Sequence, residues 1–286
     1  MGCRPRIIKT RIRPRRPDFC LLFIVASEAT TRSIILHIMI SQTRKQVIAG
    51  NTIRQEFSDY YRKKRREITT MKKNLTELVF IIDKSGSMSG LEGDTIGGFN
   101  SMLKKQRAED GEAYLSTVLF DTEERVLYDR VPIERVPEMT AKDYVPGGCT
   151  ALLDAMGGAI KHIHTIHKYA REDDRPEKTM FIIITDGCEN SSRRYNLKKV
   201  RDMIEKRKAK DNWEFLFLGA NIDAVKEAAS FGINADRAVE YCSDSDGTSL
   251  NYRVLTEAVS NYRSKASLDP GWKAPIEADM KRRCRK

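Results

Sequence analysis

The stretch Leu78-Val79-Phe80-Ile81-Ile82-Asp83-Lys84-Ser85-Gly86-Ser87 decides how this chain is read. It opens with an unbroken apolar run, rich in β-branched residues. A run of that length without polar alternation predicts a strand buried on both faces, as in parallel sheets covered by helices. The chain then turns polar at once. Asp83, Ser85 and Ser87 recur at every second position, and Gly86 permits a tight backbone between them.

The same punctuation recurs further along. Residues 179–184 form a second wholly apolar strand, followed by Thr185-Asp186-Gly187. Residues 115–120, 125–128, 214–218 and 238–241 predict four more strands. The first two are joined by the short polar turn 121–124, which is hairpin spacing. Amphipathic helices are predicted over 91–107, 151–170, 197–207, 222–231 and 248–264. Ile96, Phe99, Met102 and Leu103 share one face of the first. Gly232 sits where a helix C-cap belongs. Apolar strands alternating with such helices imply an α/β fold. Its doubly wound, mostly parallel sheet has one antiparallel edge strand and helices on both faces, in the Rossmann-like manner. Residues 269–286 read as an irregular basic tail.

In doubly wound sheets ligands collect beyond the carboxyl ends of the strands. The residues there are Asp83, Ser85 and Ser87 after the first strand and Asp186 after the later one. Thr150 lies in the loop Gly147-Gly148-Cys149-Thr150 that leads into the long helix. All five offer oxygen. Mg²⁺ is a hard, octahedral ion that keeps water and prefers oxygen to sulfur or imidazole, so this donor set suits it. Two carboxylates balance the charge, and three hydroxyls add neutral donors.

At these positions the chain resembles the von Willebrand factor A family. Asp83, Ser85 and Ser87 stand as that family's D-x-S-x-S motif, Thr150 as its loop-two threonine, and Asp186 as its loop-three aspartate in T-D-G. Within the family the chain is most similar to small cytoplasmic single-domain bacterial proteins. The resemblance implies a metal-ion-dependent adhesion site binding Mg²⁺, or Mn²⁺ in its place. It also implies a protein partner that presents a carboxylate to the ion, and no catalysis. Two other functions compete. Phosphoester-processing enzymes also place a carboxylate after the first strand, but here the position two beyond Asp83 is Ser85, and no two-metal carboxylate cluster appears. A nucleic-acid binder is suggested by the net charge of +11.

That charge is unevenly placed. Residues 1–74 carry 18 Lys and Arg against 5 Asp and Glu, so the excess lies wholly in the first quarter. The remainder is close to neutral, which argues against a nucleic-acid surface on the folded part. Lys64-Arg65-Arg66-Glu67 is what a purine-rich ribosome-binding sequence encodes when read in frame, four codons before Met71. The reading adopted is that Met71 begins the protein. Residues 1–70 are then a mis-annotated or disordered basic extension, and 71–268 form the domain. A basic targeting or nucleic-acid arm is the alternative. No apolar run reaches the roughly 18–20 residues of a membrane helix, so no membrane partner is expected. The six cysteines show no C-x-x-C pair and no zinc-finger spacing, which predicts reduced thiols in a cytoplasmic protein.

Several residues carry plainer expectations. Thr150 directly precedes a helix and is placed to cap it. Asp154, one turn in, suits the helix dipole. Asp121 reads as turn chemistry and residues 243–247 as the loop capping the last helix. His162, His164 and His167 show no evident carboxylate partner and read as a solvated face. Cys149 and Cys188 flank the ligand positions and read as packing thiols, with a redox gate as the alternative.

Overall fold

The computed structural model describes residues 74–265 and 267–283, all within the compact unit Arg66–Lys286. The reading of residues 1–70 as an extension lies outside the described residues, as do the last three residues of the basic tail.

Among the described residues one sheet is built from β1 (Thr76–Asp83), β2 (Ala113–Phe120), β3 (Glu124–Pro132), β4 (Lys178–Thr185), β5 (Glu214–Ala220) and β6 (Ala238–Tyr241). Its order is β3-β2-β1-β4-β5-β6. β3 runs antiparallel to β2, and every other pairing is parallel. The helices are α1 (Glu92–Arg107), α2 (Leu152–Tyr169), α3 (Leu197–Asp211), α4 (Ala224–Ser230), α5 (Ser245–Lys265) and α6 (Ala274–Arg283).

Every residue of β1 and β4 is buried, as unbroken apolar strands require. Their side chains alternate between two cores. Leu78, Phe80 and Ile82 face α1 and α5, meeting Phe99, Met102, Leu255 and Val259. Val79 and Ile81 belong to the opposite core, which α2, α3 and α4 cover and which also holds Met156, Ile160, Ile204 and Ala228. The doubly wound, mostly parallel architecture with its antiparallel edge therefore matches the expectation. The chain winds outward from β1 to β3 in one direction and from β4 to β6 in the other. The switch point falls between β1 and β4, whose adjacent carboxyl ends are Asp83 and Thr185.

Three expectations need correction. The segment after Asp269 is not irregular, because α6 closes against the sheet edge and buries Ile276. Its amphipathic signal is thin, and one ion pair, Arg283 to Asp244, ties it to the start of α5. Arg283 bonds Asp279 at 2.6 Å and also Asp244, before α5, at 2.7 Å. Hydrogen bonds from Arg283 and Arg282 hold the Asp279 carboxyl down to about 2. The thiols are not all reduced, since Cys242 is disulfide-bonded. Nor do all the histidines of α2 form a solvated face. His162 is exposed, as expected, and pairs with Asp129 at 2.8 Å, but His164 meets Arg207 and His167 bonds the fully buried Glu77 at 3.2 Å. Glu77 also accepts from Arg130 at 2.8 Å. This cluster lies at the amino end of β1, opposite the switch point. No helix among the described residues is long and apolar enough to cross a membrane.

Candidate metal centre

The three loops meet at the switch point because their backbones are laced together. The amide of Lys84 donates to Phe120, that of Gly147 to Lys84, and that of Gly86 to Gly148. Gly148 adopts φ of 71°, and a Cβ there would meet Thr122 Oγ1 at 2.6 Å, so glycine is required. The third loop is tied to the second by a reciprocal pair. Thr150 N donates to Asn190 Oδ1 at 2.9 Å, and Asn190 N donates to Thr150 O at 3.0 Å.

The five candidate ligands converge. Ser87 Oγ donates to Asp186 Oδ1 at 2.5 Å, and Ser85 Oγ lies 3.1 Å from Ser87 Oγ. A methyl built on Gly187 would stand 3.4 Å from Thr150 Oγ1 and 3.8 Å from Ser87 Oγ, so these two hydroxyls face one spot. Asp83 is fully buried and Asp186 nearly so. Ser85 N donates to Asp83 Oδ1 at 2.7 Å, and Thr185 Oγ1 donates to Asp83 Oδ2 at 2.5 Å. Tyr144 Oη donates to the Asp83 carbonyl at 2.6 Å.

Burial pushes the Asp83 carboxyl up, and the charge of Asp186 adds to that, while donors from Thr185 and Ser85 oppose it. Burial likewise raises Asp186 against the Ser87 hydrogen bond. Asp186 Oδ2 is buried with no hydrogen-bond partner. An acceptor-only oxygen in that condition calls for a cation or its bound water. Among the described residues no three His, Cys, Asp or Glu side chains gather. An ion here would therefore rest on two carboxylates and on hydroxyls, a hard set that fits Mg²⁺ or Mn²⁺ and not a thiophilic metal.

The raised carboxyls have a pH consequence. A group with a raised folded pKa adds stability below its unfolded pKa, and that stability is lost as pH rises through the folded value. The metal-free domain is thus burdened at neutral pH, where a divalent ion would relieve it. The Mg²⁺-induced rise in Tm is expected to be largest near neutrality and to fade as acid protonates the pair. At a hundredfold excess over Kd it corresponds to about 2.7 kcal/mol. Thermal melts with and without Mg²⁺ across pH would show this, and a pH-independent shift would contradict it.

Thr150 does not cap α2, contrary to the sequence-based expectation. Ala151 holds the cap position without a side-chain bond. The third loop caps instead, with Glu189 Oε2 accepting from Leu153 N at 2.8 Å and Ser192 Oγ accepting from Asp154 N at 3.0 Å. Asp154 returns the favour by accepting from the amides of Arg193, Arg194 and Tyr195. Burial alone would raise its carboxyl, but these amides hold it below the ordinary range. Asp154→Ala is expected to free that loop and cost about 1 kcal/mol, since the amides it releases are partly open to water. Denaturant unfolding measures the loss. Asp121 serves its turn by accepting from Glu123 N at 2.9 Å, and it also pairs with Lys84, which holds its carboxyl down despite partial burial. Residues 243–247 behave as expected, Asp244 Oδ1 accepting from Gly247 N at the start of α5. Cys149 and Cys188 are exposed free thiols, not packing ones.

Thr185, Tyr144, Asn190 and Glu189 were not singled out by sequence reasoning. Only Thr185 carried a signal, as the residue before Asp186.

No protein-family model matches the chain, and no curated protein does. Solved structures similar to it include a von Willebrand factor type A from Catenulispora acidiphila. That likeness is at 17% identity over 65% of this chain and 43% of that one, with a TM-score of 0.44. Another is manganese-loaded TRAP protein from Plasmodium vivax, at 18% identity over 66% and 74%, with a TM-score of 0.46. A third is the ArnB paralog VWA2 from Sulfolobus acidocaldarius, at 20% identity over 64% and 44%, with a TM-score of 0.41. The chain spans less than half the length of the first and third. The six-stranded, mostly parallel sheet, its single antiparallel edge strand and the flanking helices make this a doubly wound, Rossmann-like α/β fold.

Proposed function

We propose that this chain is a divalent-metal-dependent protein-binding module. Asp83, Ser85, Ser87, Thr150 and Asp186 would hold one Mg²⁺, with Mn²⁺ able to take its place. The bound ion would supply an electrophilic position for a carboxylate of a partner protein. The observation that carries this reading is the unpartnered, buried Asp186 Oδ2 within a ring of serine and threonine hydroxyls at the sheet's switch point.

The chain's own residues hold the site still. Ser85 N and Thr185 Oγ1 fix the Asp83 carboxylate. Lys84, the nearest basic side chain in sequence, is engaged by Asp121. His167 and Glu77 belong to the opposite end of β1. These arrangements favour binding over phosphoester chemistry. A cytoplasmic location is part of the same proposal.

The experiment is affinity capture with the immobilised chain in Mg²⁺, followed by elution with EDTA, beside Asp83→Ala. The expected result is a protein retained in Mg²⁺, released by EDTA and absent from the variant. Retention that ignores both EDTA and the substitution would refute metal-dependent binding. Turnover of a phosphoester panel would replace it with the enzyme reading.

A further inference from the structure

We propose that Thr185 is a positioning residue for the metal centre, acting through Asp83; this rests on the metal-binding reading above. Thr185 ends β4 and is fully buried. In the register of the sheet Ile184 pairs with Ile82, which brings Thr185 level with Asp83 across the switch point. Its hydroxyl lies 2.5 Å from Asp83 Oδ2, closer than the 3.1 Å to Gly187 O. A hydroxyl has one proton to give, and the shorter, charge-assisted contact takes it. The hydroxyl oxygen in turn receives the amide of Gly187 at 3.3 Å. One side chain therefore bridges the loop after β1 to the loop after β4.

The opposite oxygen of Asp83 is held by Ser85 N at 2.7 Å. The carboxylate is gripped from both sides, which fixes its plane and leaves Asp186 Oδ2 as the acceptor without a protein donor. Without the Thr185 hydroxyl, Asp83 would keep its burial but lose the donor on Oδ2. Its orientation would be freer. Groups that orient ligands in this way typically change metal affinity by 10–100-fold when removed.

The test is calorimetric titration of the full chain with Mn²⁺ in three forms: wild type, Thr185→Val and Thr185→Ser. Valine keeps the branched shape and deletes the hydroxyl; serine keeps the hydroxyl and deletes the methyl. The expected result is a loss of about 10–100-fold in Mn²⁺ affinity for the valine variant, with serine close to wild type. Metal-free thermal melts show whether each variant is folded. If the valine variant does not fold, Thr185→Ala against Thr185→Ser makes the same comparison. Equal affinity in wild type and the folded valine variant overturns the positioning role while leaving the metal site intact. Equal weakening by valine and serine also overturns it, since the hydroxyl would not be what matters. A folded wild type that binds no Mn²⁺ overturns both this proposal and the metal-binding reading beneath it.

Discussion

Asp186→Ala is expected to abolish Mg²⁺ and Mn²⁺ binding while leaving the metal-free chain at least as stable at neutral pH. Both halves follow from one environment. Asp186 is 2% exposed, its Oδ1 is bonded by Ser87, and its Oδ2 has no partner. Burial raises its carboxyl, so in the folded state ionisation is penalised relative to the unfolded chain. Removing the group removes that penalty together with the repulsion from Asp83. It also removes the one carboxylate oxygen at the site left without a protein donor, and leaves a dication only Asp83, both of whose oxygens already accept from protein donors. Calorimetry and metal-free melting of the same preparation read the two effects. A simple packing residue would behave otherwise, with its loss lowering Tm and having no metal to affect.

At the other end of the sheet, Glu77→Ala is expected to destabilise the domain by about 3 kcal/mol, the lower part of the range for breaking a buried ion pair. Glu77 has no exposed surface and holds both Arg130 and His167. Arg130 keeps 18% of its side chain exposed, which lets water recover part of its solvation and keeps the cost from the upper end. Its remaining support is the face of Tyr114, 4.7 Å from the guanidinium carbon. Glu77→Gln should cost less, since the amide still accepts a hydrogen bond. Metal affinity should hardly change in either variant, because the cluster lies at the amino end of β1 and the candidate centre at its carboxyl end. Urea unfolding with parallel Mn²⁺ titration separates these expectations.

Sequence and structure agree best where one physical constraint dominates. β1 and β4 are legible because a strand covered on both faces has no polar position to confuse the pattern. The five candidate ligands are legible for a related reason: oxygen side chains directly after apolar strands stand out against what precedes them. Their supports are not. Asn190, Glu189 and Asp154 are ordinary loop and helix-start residues, and their contacts span 36 to 41 positions of chain. Thr150 shows the same ambiguity in reverse, since its place before α2 suits a cap that Glu189 and Ser192 provide instead. The histidines of α2 show how far pairing escapes local reading. Glu77 lies 90 positions from His167 and reaches it only because β1 and α2 pack together. Helix α6 was hidden because few apolar residues mark it, and its ion pair outside the helix, Arg283 to Asp244, spans 39 positions.

The most direct test of a metal-dependent binding centre is calorimetric titration of the full chain with Mn²⁺ beside Asp83→Ala. The account predicts one ion bound per folded chain and none by the variant. A folded wild-type chain that takes up no ion, or a variant that binds as well as wild type, would contradict it.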